Sequence, residues 1–336
     1  MSLEFIESFD HFTNNANLIR KWTGPTSSAV GGFNQTTGRF GGKSFEIGWA
    51  GDYWSNQLPA NATKVVGFAL RTAASWSTTA LCGFRDSGTA QVELNIDNTG
   101  HLYMTRNGTA VGSAAATGLA TNTWYYVEWK VTIGASAAYE VRVDGTTVIT
   151  GTGNTQNAGS TINEFRVGVT ATTGSGWFQL DDLYIVNTSG TLNNNFLGEC
   201  QVFMNLPTAD GSATQWTPST GSTHWPNVDD SNPDDDSTYN SSGVVGQIDL
   251  QTVPSITPTG AILGVQTVLT ARKDDVATRQ IADQCKSGST TNTGSTQTMA
   301  SAYGMFRQIR ETDPNTGVQW TSGALNAAEW GVKVIT

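Results

Sequence analysis

Charge is scarce in this chain. Only 14% of its 336 residues are Asp, Glu, Lys or Arg, against about a quarter in ordinary soluble domains. Exposed helix faces draw on those residues and on Ala, so their scarcity argues against a helical protein. Positive charge is scarcer still: 18 Lys and Arg stand against 28 Asp and Glu, for a net charge of −10. The cations stand singly, as at Arg71, Arg106 and Arg142. Without a basic stripe to meet phosphates, nucleic acid is excluded as a partner. Cysteine is scarce too. Cys82, Cys200 and Cys285 are odd in number and far apart, which excludes a disulfide framework and a zinc site and leaves free thiols as the expectation. No run reaches the roughly 20 apolar residues of a membrane span, so membrane insertion is not expected. The opening Met1–Asp10 has neither a basic nor an apolar leader segment, so the chain is expected to carry no signal peptide.

What fills the gap is Gly, Ser, Thr and Asn, together with 11 Trp and 13 Phe. The aromatics exclude disorder over most of the chain. Period-two alternation recurs through the first half. Val65–Arg71 reads as a buried strand, and Gln91–Asp97 sets Val92, Leu94 and Ile96 on one face. A turn at Asp97–Gly100 leads to the return strand His101–Thr105, and Asn107-Gly108 is a further tight-turn signal. Trp124–Val131, Tyr139–Gly145, Glu164–Val169 and Trp177–Val186 complete the set. Many short strands at close spacing predict a sandwich or barrel.

The polar stretch Asn187–Asn195 lacks apolar periodicity, which places a domain boundary there. Beyond it, Phe196–Met204, Ile248–Leu250, Ala261–Thr270, Gln280–Ala282, Ala302–Ile309 and Trp330–Ile335 read as strands. A long loop is expected from about 207 to 239, and Thr321 is a candidate cap for one helical turn over Ser322–Glu329. The predicted architecture is therefore all-β. Residues 1–190 form one sandwich, and residues 196–336 form a second β-sandwich with one short helix. A continuation of the first sandwich is the alternative for the second half.

Trp124–Lys130, then Val141–Gly145, then Phe178–Tyr184 resemble the closing strands of a concanavalin A-like, laminin G-like jelly roll. The resemblance implies that Phe5–Asp10 is the first strand and lies beside the last one. A second resemblance covers nearly the whole chain. Phe196–Glu199, Gln215–Ser219, Val228–Tyr239, Ala271–Asp275 and Glu311–Gly317, in this order after a jelly roll, are similar to structural proteins of tailed phages. It implies a location on the virion, made in the host cytoplasm, and assembly as a homo-oligomer with other virion proteins.

Chemistry is poorly marked. Glucanases on this fold need two carboxylates about 5 Å apart, carried by a Glu-x-Asp-x-Glu type of strand. Here Asn95 stands where the central acid would be, between Glu93 and Asp97. Asp181 and Asp182 are adjacent, so on a regular strand they point to opposite faces and cannot act as a pair. His11, His101 and His224 are scattered, and no nucleophile elbow or nucleotide loop is present. The expectation is a non-enzyme, with no catalytic residue. The acidic run holding Asp229, Asp230, Asp234 and Asp236 is the candidate for calcium, although it lacks the glycine and terminal glutamate of an EF-hand loop; otherwise it is a solvated loop and no cofactor is needed. Glycan binding has a candidate in Trp49, Asp52, Tyr53, Trp54 and Trp76, aromatic rings in polar, turn-rich sequence. These rings could equally plug the ends of the core. Trp216 and Trp225, in the long loop, are candidates for a subunit interface. The leading expectation is a structural component of a phage particle, with a receptor-binding lectin for host surface glycans as alternative and a depolymerase behind it.

Overall fold

The computed structural model describes residues 1–12, 15–23, 33–34, 38–47, 53–72, 75–168 and 178–336. It is almost wholly antiparallel β-structure and divides into two compact units, Met1–Phe203 and Met204–Thr336.

The first unit is a two-sheet jelly roll. One sheet runs in the order Thr146–Gly153, Ala137–Val143, Tyr125–Thr132, Thr63–Arg71, Phe178–Asn187, Ser44–Ile47, Phe33–Asn34, with Leu3–Glu7 also paired to Phe178–Asn187. The first strand thus lies beside the last. The other sheet runs Trp54–Asn61, Ile162–Val167, Thr79–Asp86, Thr89–Ile96, Leu102–Arg106, Thr109–Val111. Alternation sends one set of side chains from each sheet into the core between them. Phe84 meets Trp129 of the opposite sheet at 5.0 Å between ring centroids and Phe165 of its own sheet at 5.5 Å. A second aromatic layer joins Phe9 to Trp22 at 6.1 Å and to Phe45 at 5.3 Å, and Phe45 reaches Trp54 at 6.4 Å.

A short helix, Asn15–Lys21, was not foreseen from the sequence; a helix of this length is carried by tertiary contacts rather than by its own propensity. Its anchor is the buried carboxylate of Glu7. That group pairs with Lys21 at 2.8 Å and accepts hydrogen bonds from the Trp22 indole at 3.1 Å and the Phe9 amide at 3.0 Å. Burial alone would raise its pKa, but these partners outweigh burial and hold it below the ordinary value.

Asp181 and Asp182 overturn the reading of a regular strand. The pairing register slips between Asp181 and Tyr184, and Asp182 takes a φ of 49°. This bulge buries both carboxylates, at 5% and 3% exposure. Asp181 accepts from the Arg39 amide at 2.8 Å, while Asp182 lies 3.6 Å from the Arg39 guanidinium. Burial, and then the charges of Asp182 and Asp10, push the Asp181 pKa up to about 8. Burial, with Asp10, pushes Asp182 to about 6.

Residues 195–203 cross the outward face of the eight-stranded sheet and contain no strand, contrary to the expectation for Phe196–Met204. This strap is held by side chains of the sheet beneath it. The Leu197 amide donates to the Tyr184 hydroxyl at 3.1 Å, the Gly198 amide to Glu128 at 2.8 Å and the Val202 amide to Asp182 at 2.7 Å. Arg39 donates to the Cys200 carbonyl at 3.2 Å, Lys130 to Asn195 at 3.0 Å, and the Arg142 guanidinium lies 3.9 Å from the Phe196 ring centroid. The boundary stretch 187–195 and the strap therefore belong to the first unit, because a chain segment leaving a sheet edge still has backbone donors to satisfy.

The second unit has a five-stranded sheet, ordered Ala209–Thr214, Ile248–Thr252, Glu329–Val334, Gln280–Ser287, Thr290–Thr298, and a two-stranded ribbon, Val265–Ala271 with Gly304–Arg310. Cys285, Trp320, Leu325, Ala328 and Trp330 form its apolar core. The expected helix is present as Ser322–Asn326, and its cap Thr321 accepts from the Ala324 amide. The expected long loop is more structured than foreseen. It contains Ala209–Thr214, the short pair Thr217–Pro218 and Asn240–Ser241, and a 3-10 turn at Trp225–Asn227. His224 closes it down, with Nδ1 2.6 Å from buried Asp249. Among the described residues no helix is long and apolar enough to cross a membrane. All three cysteines are free, two of them buried.

Two outcomes follow for stability. Because the Asp181 carboxyl binds its proton more tightly in the folded chain, its contribution is complete below about pH 4 and is lost as pH rises to about 8. Urea unfolding of Asp181→Asn is expected to show a flatter pH dependence over that window, by up to about 1.4 kcal/mol per pH unit; an unchanged slope would show that this group does not titrate there. Trp54→Ala, at a site only 2% exposed, is expected to cost about 3–5 kcal/mol of unfolding free energy. A cost below about 1 kcal/mol would contradict its place in the core.

Candidate functional site

The strand Thr89–Ile96 has two faces. Val92, Leu94 and Ile96 are fully buried in the core, so Glu93 and Asn95 project from the other side of the six-stranded sheet. The register then assembles a row across that outward face. Ser55 pairs with Arg166, Arg166 with Gly83, Gly83 with Glu93, Glu93 with Thr105 and Thr105 with Ala110. In the neighbouring rows Gln57 opposes Glu164 and Glu164 opposes Arg85, while Asn95 opposes Tyr103. The result is a floor of carboxylates, guanidiniums, amide and phenols on a sheet whose opposite side is apolar.

Its parts support one another. Arg166 forks onto Glu164 through Nε at 3.1 Å and Nη2 at 2.8 Å. Its guanidinium carbon lies 3.8 Å from the Tyr53 ring centroid, a stacked cation. Asn95 donates to Thr105 at 2.9 Å. Gly83 leaves room at the centre: a Cβ there would press against Glu93 Cγ at 3.1 Å, and without it Arg166 and Glu93 feel each other across the strand. Burial raises the Glu93 pKa above the ordinary carboxylate value, against the pull of Arg85, Thr105 and Arg166. Burial, and then the like charge of Arg166, lower the Arg85 pKa. Glu93, Asn95, Thr105 and Glu164 are themselves buried, so what the face presents is the partly exposed Tyr53, Arg85, Tyr103 and Arg166: ring faces for the C–H surfaces of a sugar and donors for its hydroxyls, above a carboxyl whose proton is held at higher pH than usual.

The structure separates the residues singled out from sequence. Trp49 and Asp52 lie outside the described residues. Trp54 and Trp76 are core rings, 2% and 6% exposed. Trp54 packs with Phe9, Leu18, Trp22, Phe45 and Val167 around an apolar gap, and the Trp76 indole donates inward to the Leu119 carbonyl at 2.7 Å. Neither offers a face to a ligand, so both are corrected to structural roles. Among the described aromatic candidates, Tyr53 alone reaches the floor, through Arg166. Tyr103, Arg85, Glu164 and Arg166 were not singled out. Each occupies an outward strand position, but only the register of strands distant in sequence reveals them as neighbours.

The acidic candidates do not converge either. Asp236 is engaged by Arg272 at 2.8 Å and by the Tyr303 hydroxyl at 2.8 Å. Asp234 accepts from the Thr238 amide and hydroxyl. Burial, with the charges of Asp234 and Asp229, raises the Asp230 pKa. Among the described residues no three acidic, histidine or cysteine groups are placed to hold a metal, so nothing in this geometry adds to the calcium expectation for Asp229, Asp230, Asp234 and Asp236. Trp216 and Trp225 are half-buried in the second unit, and the Trp216 indole donates to the Gln247 carbonyl at 3.4 Å.

No family profile and no curated protein matches the chain. Solved structures match in fold. A sialidase matches with TM-score 0.43 and 16% identity over 56% of this chain and 19% of its own length. The endo-β-1,4-glucuronan lyase from the fungus Trichoderma reesei matches with TM-score 0.40 and 15% identity over 49% of this chain and 91% of its own. The cellulose induced protein Cip1 matches with TM-score 0.43 and 13% identity over 58% of this chain and 100% of its own. The chain spans about a fifth of that sialidase's length. At these values the likeness concerns the jelly-roll fold. None of the three is named as a particle component, so the virion reading rests on the sequence resemblance alone. They do correct one expectation. Chains of this fold include proteins named as lyases and sialidases, so the expectation of a non-enzyme does not stand.

Proposed function

We propose that this protein binds a glycan, and that the sugar lies across the outward face of the six-stranded sheet. One observation carries the reading. The described outward positions of the central strands gather Tyr53, Arg85, Glu93, Asn95, Tyr103, Glu164 and Arg166 on one face, while the middle of the other sheet's outward face is crossed by the strap. Tyrosines supply both a flat apolar surface and a polar tip, and the guanidiniums beside them supply fixed donors. A second reading, cleavage of the bound glycan, is favoured by Glu93, whose carboxyl is held above the ordinary value by burial, against the pull of two guanidiniums.

The full chain is to be screened on an immobilised glycan array and its hits titrated calorimetrically. Tyr53→Ala and Tyr103→Ala are each expected to weaken binding by about tenfold, a loss near 1.4 kcal/mol. Binding that survives both substitutions unchanged would place the sugar elsewhere and sink the proposal. In the same samples, cleavage would appear as new reducing or unsaturated ends, lost in Glu93→Gln; their absence from every glycan bound would remove the second reading.

A further inference from the structure

We infer that the glycan taken by this face is acidic, and that a sugar carboxylate docks on the guanidinium of Arg85; the inference rests on the glycan-binding reading of the same face. The argument is one of unequal pairing. Of the two guanidiniums on the floor, Arg166 has its carboxylate, Glu164, at 2.8 Å. Arg85 has none among the described residues. Its Nη1 donates to the Gly88 carbonyl at 2.6 Å, and its Nε is buried without a hydrogen-bond partner. Glu93, the other carboxyl of the floor, is drawn by the charge of Arg85 and held by Thr105, but makes no ion pair with Arg85 among those described. Half-buried Arg85 therefore has no carboxylate in ion-pair contact among the described residues: it feels Glu164 and Glu93 only from farther off, with the like charge of Arg166 opposing them.

A buried donor left unmade is expensive, so an unpaired Nε–H marks a place where a ligand acceptor would be rewarded. The kind of acceptor follows from geometry. A guanidinium edge presents parallel N–H groups that match the two oxygens of a carboxylate. A neutral hydroxyl would satisfy one donor and leave the charge uncompensated. The net charge of −10 opposes any anionic polymer at long range, so recognition depends on this local cation and weakens as salt screens it.

The test uses the full chain and matched polymers. Polygalacturonate, alginate and hyaluronan are titrated against their methyl esters, with a sulfated dextran as a further arm and with Arg85→Gln alongside. At least one acidic polymer is expected to bind ten or more times tighter than its ester, and Arg85→Gln is expected to bring the affinities for acid and ester together. If ester and acid bind alike, or only the sulfated polymer binds, the carboxylate inference is overturned while glycan binding stands. If Arg85→Gln keeps the full preference, Arg85 is not its seat. If neither these polymers nor the neutral glycans of the array bind, both readings fall. Should Arg85→Gln fail to fold, the comparison of acid with ester on the unsubstituted chain still decides between them.

Discussion

The jelly roll depends on a simple constraint: a strand has two faces, and in the six-stranded sheet they are given opposite chemistries. Val92, Leu94 and Ile96 fill the core, and their alternation fixes where Glu93 and Asn95 must point. A slip of one residue would bury a carboxylate against Phe84 and Trp129 and turn an aliphatic row outward, so the hydrophobic pattern holds the register firmly. The polar floor inherits that precision. Its side chains stand on paired strands rather than loops, and the pairing that orders the core also sets the spacing of Arg166, Glu93 and Thr105.

Much of this frame was legible in the sequence. Alternation in Gln91–Asp97 and Tyr139–Gly145 identifies strands by physics that acts within a few residues. The cap at Thr321 is equally local, and the helix it starts is present. What could not be read has a common cause. Arg166 meets Glu93 only because Ile162–Val167 inserts between Trp54–Asn61 and Thr79–Asp86, a choice of neighbours that no local pattern announces. Trp54 and Trp76 misled for the reverse reason. Their polar, glycine-rich flanks suggested exposed loops, yet the rings themselves turn into the core and draw their stability from partners elsewhere in the chain.

Asp181-Asp182 shows how a single inserted residue defeats a periodic rule. Alternation assigns one acid to each side of the sheet, but the bulge turns the backbone and leaves both within reach of Arg39. Bulges concentrate where a strand must do something other than extend, and this one lies under the strap, where its carboxylate receives the Val202 amide.

The strap also decides how this protein would respond to force. Residue 204 opens the second unit, so tension on that unit arrives at the first through Val202, then Cys200, then Gly198 and Leu197, each held by separate anchors on the sheet below. Such a load meets its anchors in succession, like a seam opened from one end, and the sandwich itself feels little until the last is gone.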